Sequence, residues 1–110
     1  MLYLPLLCDG MLINFLIDTG ASDVVLSPRD AEKLDFDLSR LFFDRVYRTA
    51  NGTVRGAAVR LGRVKIGPIE LKDVRASVNG APMTTSLLGM NFLGRFDSYK
   101  VTADNLTLRR

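Results

Sequence analysis

A chain of 110 residues has room for one hydrophobic core and leaves much of its surface exposed, so association is an expected route to further burial. Its 47% hydrophobic and 25% charged residues are the composition of a folded globular domain, not of a disordered segment. The net charge of +3 comes from scattered Lys and Arg without a clustered patch, which argues against nucleic acid and leaves a basic rim for acidic peptides or anionic headgroups as a weaker reading. The chain has no histidine, and Cys8 is its single cysteine. That excludes Ser-His-Asp and Cys-His catalysis, His-based zinc sites and an intrachain disulfide.

Short apolar runs separated by turn residues predict a mostly β chain. Leu2–Leu7 is the first strand, with Pro5 favouring an edge position. The apolar opening, Met1 to Met11, is too short to span a bilayer and lacks the basic start of a signal peptide. Cys8 reads as a small apolar filler. Asp9-Gly10 is a hairpin turn, and Met11–Ile17 runs back from it. Asn14 is the one polar residue of that strand, so both of its faces are expected to be buried. The strand ends at Asp18.

Val24–Leu26 is a short strand. Ser27 is placed to cap a short helix with Pro28 at its first position, extending to Leu34. The stretch 35–44 is irregular. Val46–Thr49 and Thr53–Leu61 form a hairpin about Asn51-Gly52. Arg63–Ile66 and Glu70–Val78 form another about Gly67-Pro68, closed by Asn79-Gly80. Leu87-Leu88-Gly89 is a strand end, and Met90–Arg95 a brief helix. Tyr99–Ala103 and Leu106–Arg110 flank Asp104-Asn105 as a last hairpin. The whole, residues 1–110, reads as one all-β domain with one or two short helices.

The chemistry is concentrated in Asp18-Thr19-Gly20-Ala21-Ser22. An apolar strand delivers one carboxylate at its end, in a place where burial disfavours the ionised form. Thr19 adds a hydroxyl. Gly20 lacks a Cβ and permits close approach of backbone or substrate. Ala21 leaves room for a ligand, and Ser22 can bond backbone groups. Alone, the three-residue Asp-Thr-Gly match is also what an Asp capping its own turn looks like. A second element, Leu87-Leu88-Gly89-Met90-Asn91-Phe92-Leu93, follows far downstream.

Together the two motifs resemble the retropepsin-like aspartic proteases, and more narrowly the bacterial membrane-associated aspartic proteases of clan AA. The resemblance runs over nearly the whole chain and implies a closed acid-protease β-barrel with a flap hairpin, working as a homodimer. Each protomer would lend one Asp18, and the two carboxyls would share one proton and hold a water that attacks the peptide bond of an extended polypeptide. No metal or other cofactor is implied. Thr19 would lock the two active-site loops together across the dimer, and Gly20 would offer its carbonyl to substrate. Ala21 and Ser22 would line the substrate site. Ser22 stands where retroviral enzymes commonly carry Asp, giving a weaker grip on substrate.

Leu87-Leu88-Gly89 would pass under the Asp18 loop and support it. The hairpin from Val46 to Leu61 corresponds to the flap, with Asn51, Gly52 and Thr53 at its substrate-contacting tip. Arg48 and Arg55 set it apart from retroviral flaps and would favour acidic substrate positions, unless they are simply solvated. Asp23 would contact substrate or, as the preferred reading, pair with a nearby Arg. Asn91 and Arg95 would tie the second helix to the dimer interface, and Leu106–Arg110 would join an intersubunit sheet. The resemblance also implies a bacterial protein anchored in the inner membrane by a helix ahead of this chain, with the domain in the periplasm. A catalytically silent dimeric peptide-binding module on the same fold is the alternative function. An unrelated small barrel with an incidental Asp-Thr-Gly is the third.

Overall fold

The computed structural model describes residues 1–49 and 52–109, the side chains of residues 48 and 49 apart. The first hairpin follows its turn chemistry. β1 (Tyr3–Cys8) and β2 (Met11–Ile17) pair antiparallel from Cys8↔Met11 to Tyr3↔Leu16. Asp9 and Gly10 both take positive φ, 48° and 84°, the backbone that a two-residue turn of this kind requires. β3 (Val24–Leu26) leads into α1 (Pro28–Lys33), where Ser27 Oγ accepts from the Asp30 amide at 3.1 Å and Pro28 starts the helix. A 3-10 turn at Leu38–Arg40, capped by Asp37, interrupts the irregular stretch that follows.

β4 (Arg45–Thr49), β5 (Gly52–Ile66) and β6 (Ile69–Asn79) form two successive antiparallel hairpins. β7 (Ser86–Leu88) runs into α2 (Met90–Leu93), and β8 (Ser98–Val101) and β9 (Leu106–Arg109) make a separate two-stranded sheet. The main sheet has the order β1-β2-β7-β3-β6-β5-β4. A further pairing, Leu7↔Lys65 and Cys8↔Val64, joins β1 to β5. That contact closes six strands into a barrel and leaves β4 outside it, with β5 as its strand-pairing partner among the described residues. Closure gives β1 a second partner, so Pro5 lies within a barrel strand that meets β5 only at its far end.

Phe15, Ile13, Leu26, Leu61 and Leu88 from the strands and Phe92 from α2 are buried in one hydrophobic core. Each such side chain stabilises the fold by about 1.5–3 kcal/mol relative to leaving it in water. β2 buries one face only. Ile13, Phe15 and Ile17 point inward, while Met11, Leu12 and Asn14 are exposed. The expectation of two buried faces fails because the barrel has a single interior and no second layer covers its outside at this point.

Three boundaries also differ from the sequence reading. The strands expected at Thr53–Leu61 and Arg63–Ile66 are one strand, β5, running from the flap arm into the barrel. Thr49 pairs with Gly52 and Arg48 with Thr53, so Gly52 starts β5, at φ +114°, instead of standing in the turn. The last hairpin pairs Val101 with Leu106. Its connection is therefore four residues long, with Thr102 Oγ1 accepting from the Asn105 amide at 3.0 Å.

Candidate active site

Asp18 follows β2 directly, and its amide donates to the Leu88 carbonyl at 3.1 Å. β2 and β7 run parallel, Ile17 beside Leu88, so the strand that carries the carboxylate is fixed to the element beneath it. The loop then folds on itself. The Ala21 amide donates to the Asp18 carbonyl at 3.1 Å, and the Gly20 amide donates to Asp18 Oδ1 at 2.9 Å. This is the self-capping turn that the residue types allow. It uses one carboxylate oxygen and leaves Oδ2 without a hydrogen bond among the described residues. Asp18 is half-buried.

The downstream motif supports the loop through its backbone. The Met90 amide donates to the Ala21 carbonyl at 2.8 Å, and the Asn91 amide to the Ser22 carbonyl at 2.9 Å. Asn91 also clamps from its side chain. Oδ1 accepts from the Val24 amide at 2.7 Å, and Nδ2 donates to the Arg75 carbonyl at 2.7 Å. Beneath the same region Ser86 Oγ accepts from the Ser27 amide at 2.9 Å and donates to Asp30 Oδ2 at 2.6 Å. That bond fixes α1 to the floor.

Above the loop lies a cleft of about 510 Å³. Asp18, Gly20, Ala21 and Ser22 form one wall with Asp23. Val25 and Leu87 are also apolar lining, Tyr47 and Val54 reach in from the flap arms, and Ser77, Asn79 and Met83 complete it. Tyr47 OH is hydrogen-bonded to Ser77 Oγ, joining β4 to β6 across the cleft. The Tyr47 ring fits because Gly56 has no side chain. A β-carbon there would stand 2.6 Å from the ring.

The match of sequence to family falls on the same elements. Residues 5–95 fit the family described as "gag-polyprotein putative aspartyl protease". The chain belongs to the retropepsin-like aspartic protease family. It is 37% identical to a retropepsin-like aspartic protease from Rickettsia conorii, whose structure superposes with a TM-score of 0.84 over 96% of this chain and 80% of that one. The EIAV protease, at 22% identity, shares the fold at a TM-score of 0.70 over 84% of this chain and 85% of that one. Uncharacterised proteins of Rickettsia prowazekii and a Sinorhizobium species are 41% and 40% identical over 96% and 92% of this chain. The chain spans 46% and 44% of the lengths of those two relatives.

Against the family pattern, Asp18, Gly20, Ala21 and Ser22 come together in the cleft, and Thr19 stands exposed at its edge, its hydroxyl unbonded among the described residues. Thr53 lines a neighbouring groove with Phe43, Arg55 and Gly80. Arg55 lines that groove and not the Asp18 cleft. Gly52 lies at the end of β5. Asn51 and the Arg48 side chain lie outside the described residues. Asp23 makes no ion pair among the described residues, so the preferred Arg pairing is not formed. Asn91 and Arg95 each form bonds within the protomer, Arg95 Nη1 donating to the Lys72 carbonyl at 2.8 Å.

Tyr47, Ser77 and Met83 escaped the sequence reading. A tyrosine at alternating spacing in a hairpin beside Gly56 was the available signal for the first. Cys8 matches its expected role, wholly buried in the core with its thiol pushed up from 9.0 to about 12, by burial first and then by the charges of Asp9 and Asp30.

Proposed function

We propose that this chain is the protease domain of an aspartic endopeptidase that works as a homodimer with one Asp18 from each protomer. The observation that carries the reading is Asp18 itself. One carboxylate oxygen is held by the Gly20 amide, and the other, without a hydrogen bond among the described residues, lies at the wall of a cleft large enough for a peptide side chain. One carboxylate is half of an acid–base pair, and the chain has a single Asp-Thr-Gly to offer.

In the dimer, two carboxyls brought face to face cannot both ionise and hold one proton between them. The ionised Asp18 takes a proton from water as its oxygen attacks the peptide carbonyl. The protonated Asp18 donates to the carbonyl oxygen. Proton transfer to the nitrogen then accompanies breakage of the C–N bond. The Tyr47–Val54 arms cover this chemistry, and their strand edges offer main-chain bonds to an extended substrate. In this reading Thr19, exposed beside Asp18, bonds its symmetry mate.

Cleavage of a peptide library, with mass measured in solution over a range of concentrations, tests the proposal. Asp18→Asn should lower turnover by roughly 10²–10⁴-fold, and specific activity should rise with the dimer fraction. A strict monomer that still cleaves, or an active Asp18→Asn protein, would defeat it. No helix among the described residues is long and apolar enough to cross a membrane. The proposal extends to an inner-membrane anchor ahead of this domain in the full gene product, with the domain in the periplasm. Fractionation of the full-length product would test that part.

A further inference from the structure

We propose that the protomer carries an outer subsite for acidic side chains of its polypeptide substrate, built from Arg45 and Arg75 and reached from the Asp18 cleft past Asp23. It rests on the peptidase reading above. Three strands supply the site. Arg45 opens β4, Arg60 lies on β5, and Arg75 lies on β6 directly opposite Arg60 in the antiparallel register. The three surround a shallow depression of about 580 Å³ floored by Ala58, Val59 and Ala76.

Like charges directly opposite each other across a ladder repel. One of the three is neutralised, because Arg60 Nη1 donates to both Asp73 carboxylate oxygens at 2.8 Å. Asp73 also attracts Arg75 through space, without a contact ion pair. Arg45 and Arg75 are exposed, and neither guanidinium has an ion pair or hydrogen bond among the described residues. Two forked cations without a bonded partner, over a floor of small residues, fit a carboxylate-bearing segment lying flat, since guanidinium geometry matches carboxylate bidentately.

Asp23 connects this shelf to the cleft. It lines the Asp18 cleft on one side. On the other it walls a pocket of about 110 Å³ together with Arg45, Arg75 and Asn91. A peptide leaving the cleft over Asp23 therefore passes onto the two arginines. Asp23 itself disfavours an acidic side chain beside it, so the selected acidic positions lie outside the residues flanking the scissile bond. Two arginines bordered by Asp23 and Asp73 are too short and too mixed in charge for a nucleic-acid track, which needs a continuous basic stripe.

The test uses the intact chain and two fluorogenic peptides that share one apolar cleavable core. One carries three glutamates beyond the core, the other three glutamines. The acidic peptide should have a kcat/KM roughly three- to tenfold higher at low salt, the scale of a few exposed ion pairs. The advantage should sit in KM and shrink as salt screens it. Arg45→Gln combined with Arg75→Gln should bring the acidic-to-neutral ratio to one. Equal kcat/KM for the two peptides in the unmodified protein would overturn the subsite and leave the peptidase reading standing. If neither peptide is cut, the peptidase reading fails, and fluorescence anisotropy of both peptides on the Asp18→Asn protein decides the subsite. Preferential binding of the acidic peptide, lost in the arginine variant, supports it. Equal binding overturns it, as does tighter binding of a single-stranded DNA oligonucleotide at the same arginines.

Discussion

Gly89 passes so close beneath Asp23 that a β-carbon on it would overlap the Asp23 carbonyl oxygen and stand 2.7 Å from that of Ala21. Its own backbone is extended, at φ −102°, so the glycine is required by the crossing of two chain segments and not by its conformation. Backbone on both sides leaves little room to relax. Gly89→Ala should therefore cost about 3 kcal/mol or more and lower Tm by more than about 10 °C. Thermal unfolding followed by circular dichroism checks this. A melt within about 2 °C of the unmodified protein would show that the two segments part readily enough to admit a methyl group.

Local chemistry explains what could be read before the fold was known. Asp9-Gly10, Gly67-Pro68 and Ser27-Pro28 each specify their turn or cap through their own residues, and each is found as expected. The Asp18 loop and its support at Leu87–Gly89 were legible because both are short motifs. The flap hairpin pairs differently from its Asn51-Gly52 signal because its arms answer to distant partners. Tyr47 meets Ser77, thirty residues on, and its ring occupies the space over Gly56. Asn91 could be seen in its motif, but its partner at Val24 is 67 residues away, so its role inside the protomer was not. The exposed outer face of β2 was missed for a related reason. An apolar strand pattern says how much can be buried, and only closure of the barrel decides which face is.

Asn91 is the next test, because one side chain satisfies two backbone groups in different strands. Asn91→Ala removes both bonds and should cost about 1–3 kcal/mol. Asn91→Asp keeps the acceptor for the Val24 amide but sets an acid against the Arg75 carbonyl. It should lose more stability at neutral pH than near pH 3, where a protonated carboxyl can donate again. Urea unfolding at the two pH values, each referred to the unmodified protein, separates these cases. Equal losses for Asp at both would show that the Arg75 bond carries no weight.

Cys8 gives a prediction in the alkaline range. Its thiol is raised in the folded state from 9.0 to about 12, so the unfolded chain releases this proton first. Stability should be unaffected by Cys8 below pH 9.0 and should fall as pH rises from there towards about 12, by at most ~1.4 kcal/mol per pH unit. Cys8→Ala should remove that part of the slope while leaving the contributions of Lys and Tyr groups in place. Thiol reagent should label the native protein at pH 8 only as fast as the protein unfolds. Rapid labelling without unfolding would show that the β1 core opens locally.

The bond between Tyr47 and Ser77 ties the flap arm to the barrel, and breaking it from either side should have the same consequence. Tyr47→Phe keeps the ring over Gly56 and removes only the hydroxyl. Ser77→Ala removes the partner and leaves no orphaned group in the barrel wall, where Ser77 is buried. Each should loosen β4 against the cleft at a cost near 1 kcal/mol, read as faster amide exchange in β4 and the flap half of β5. Because both changes delete one interaction, the double variant should be little worse than either single one. If the chain cleaves peptides as proposed, KM should rise in both variants more than kcat falls, since the flap acts on substrate retention and not on Asp18. Additive losses, or exchange rates unchanged in β4, would remove the bond from any account of how the cleft is held closed.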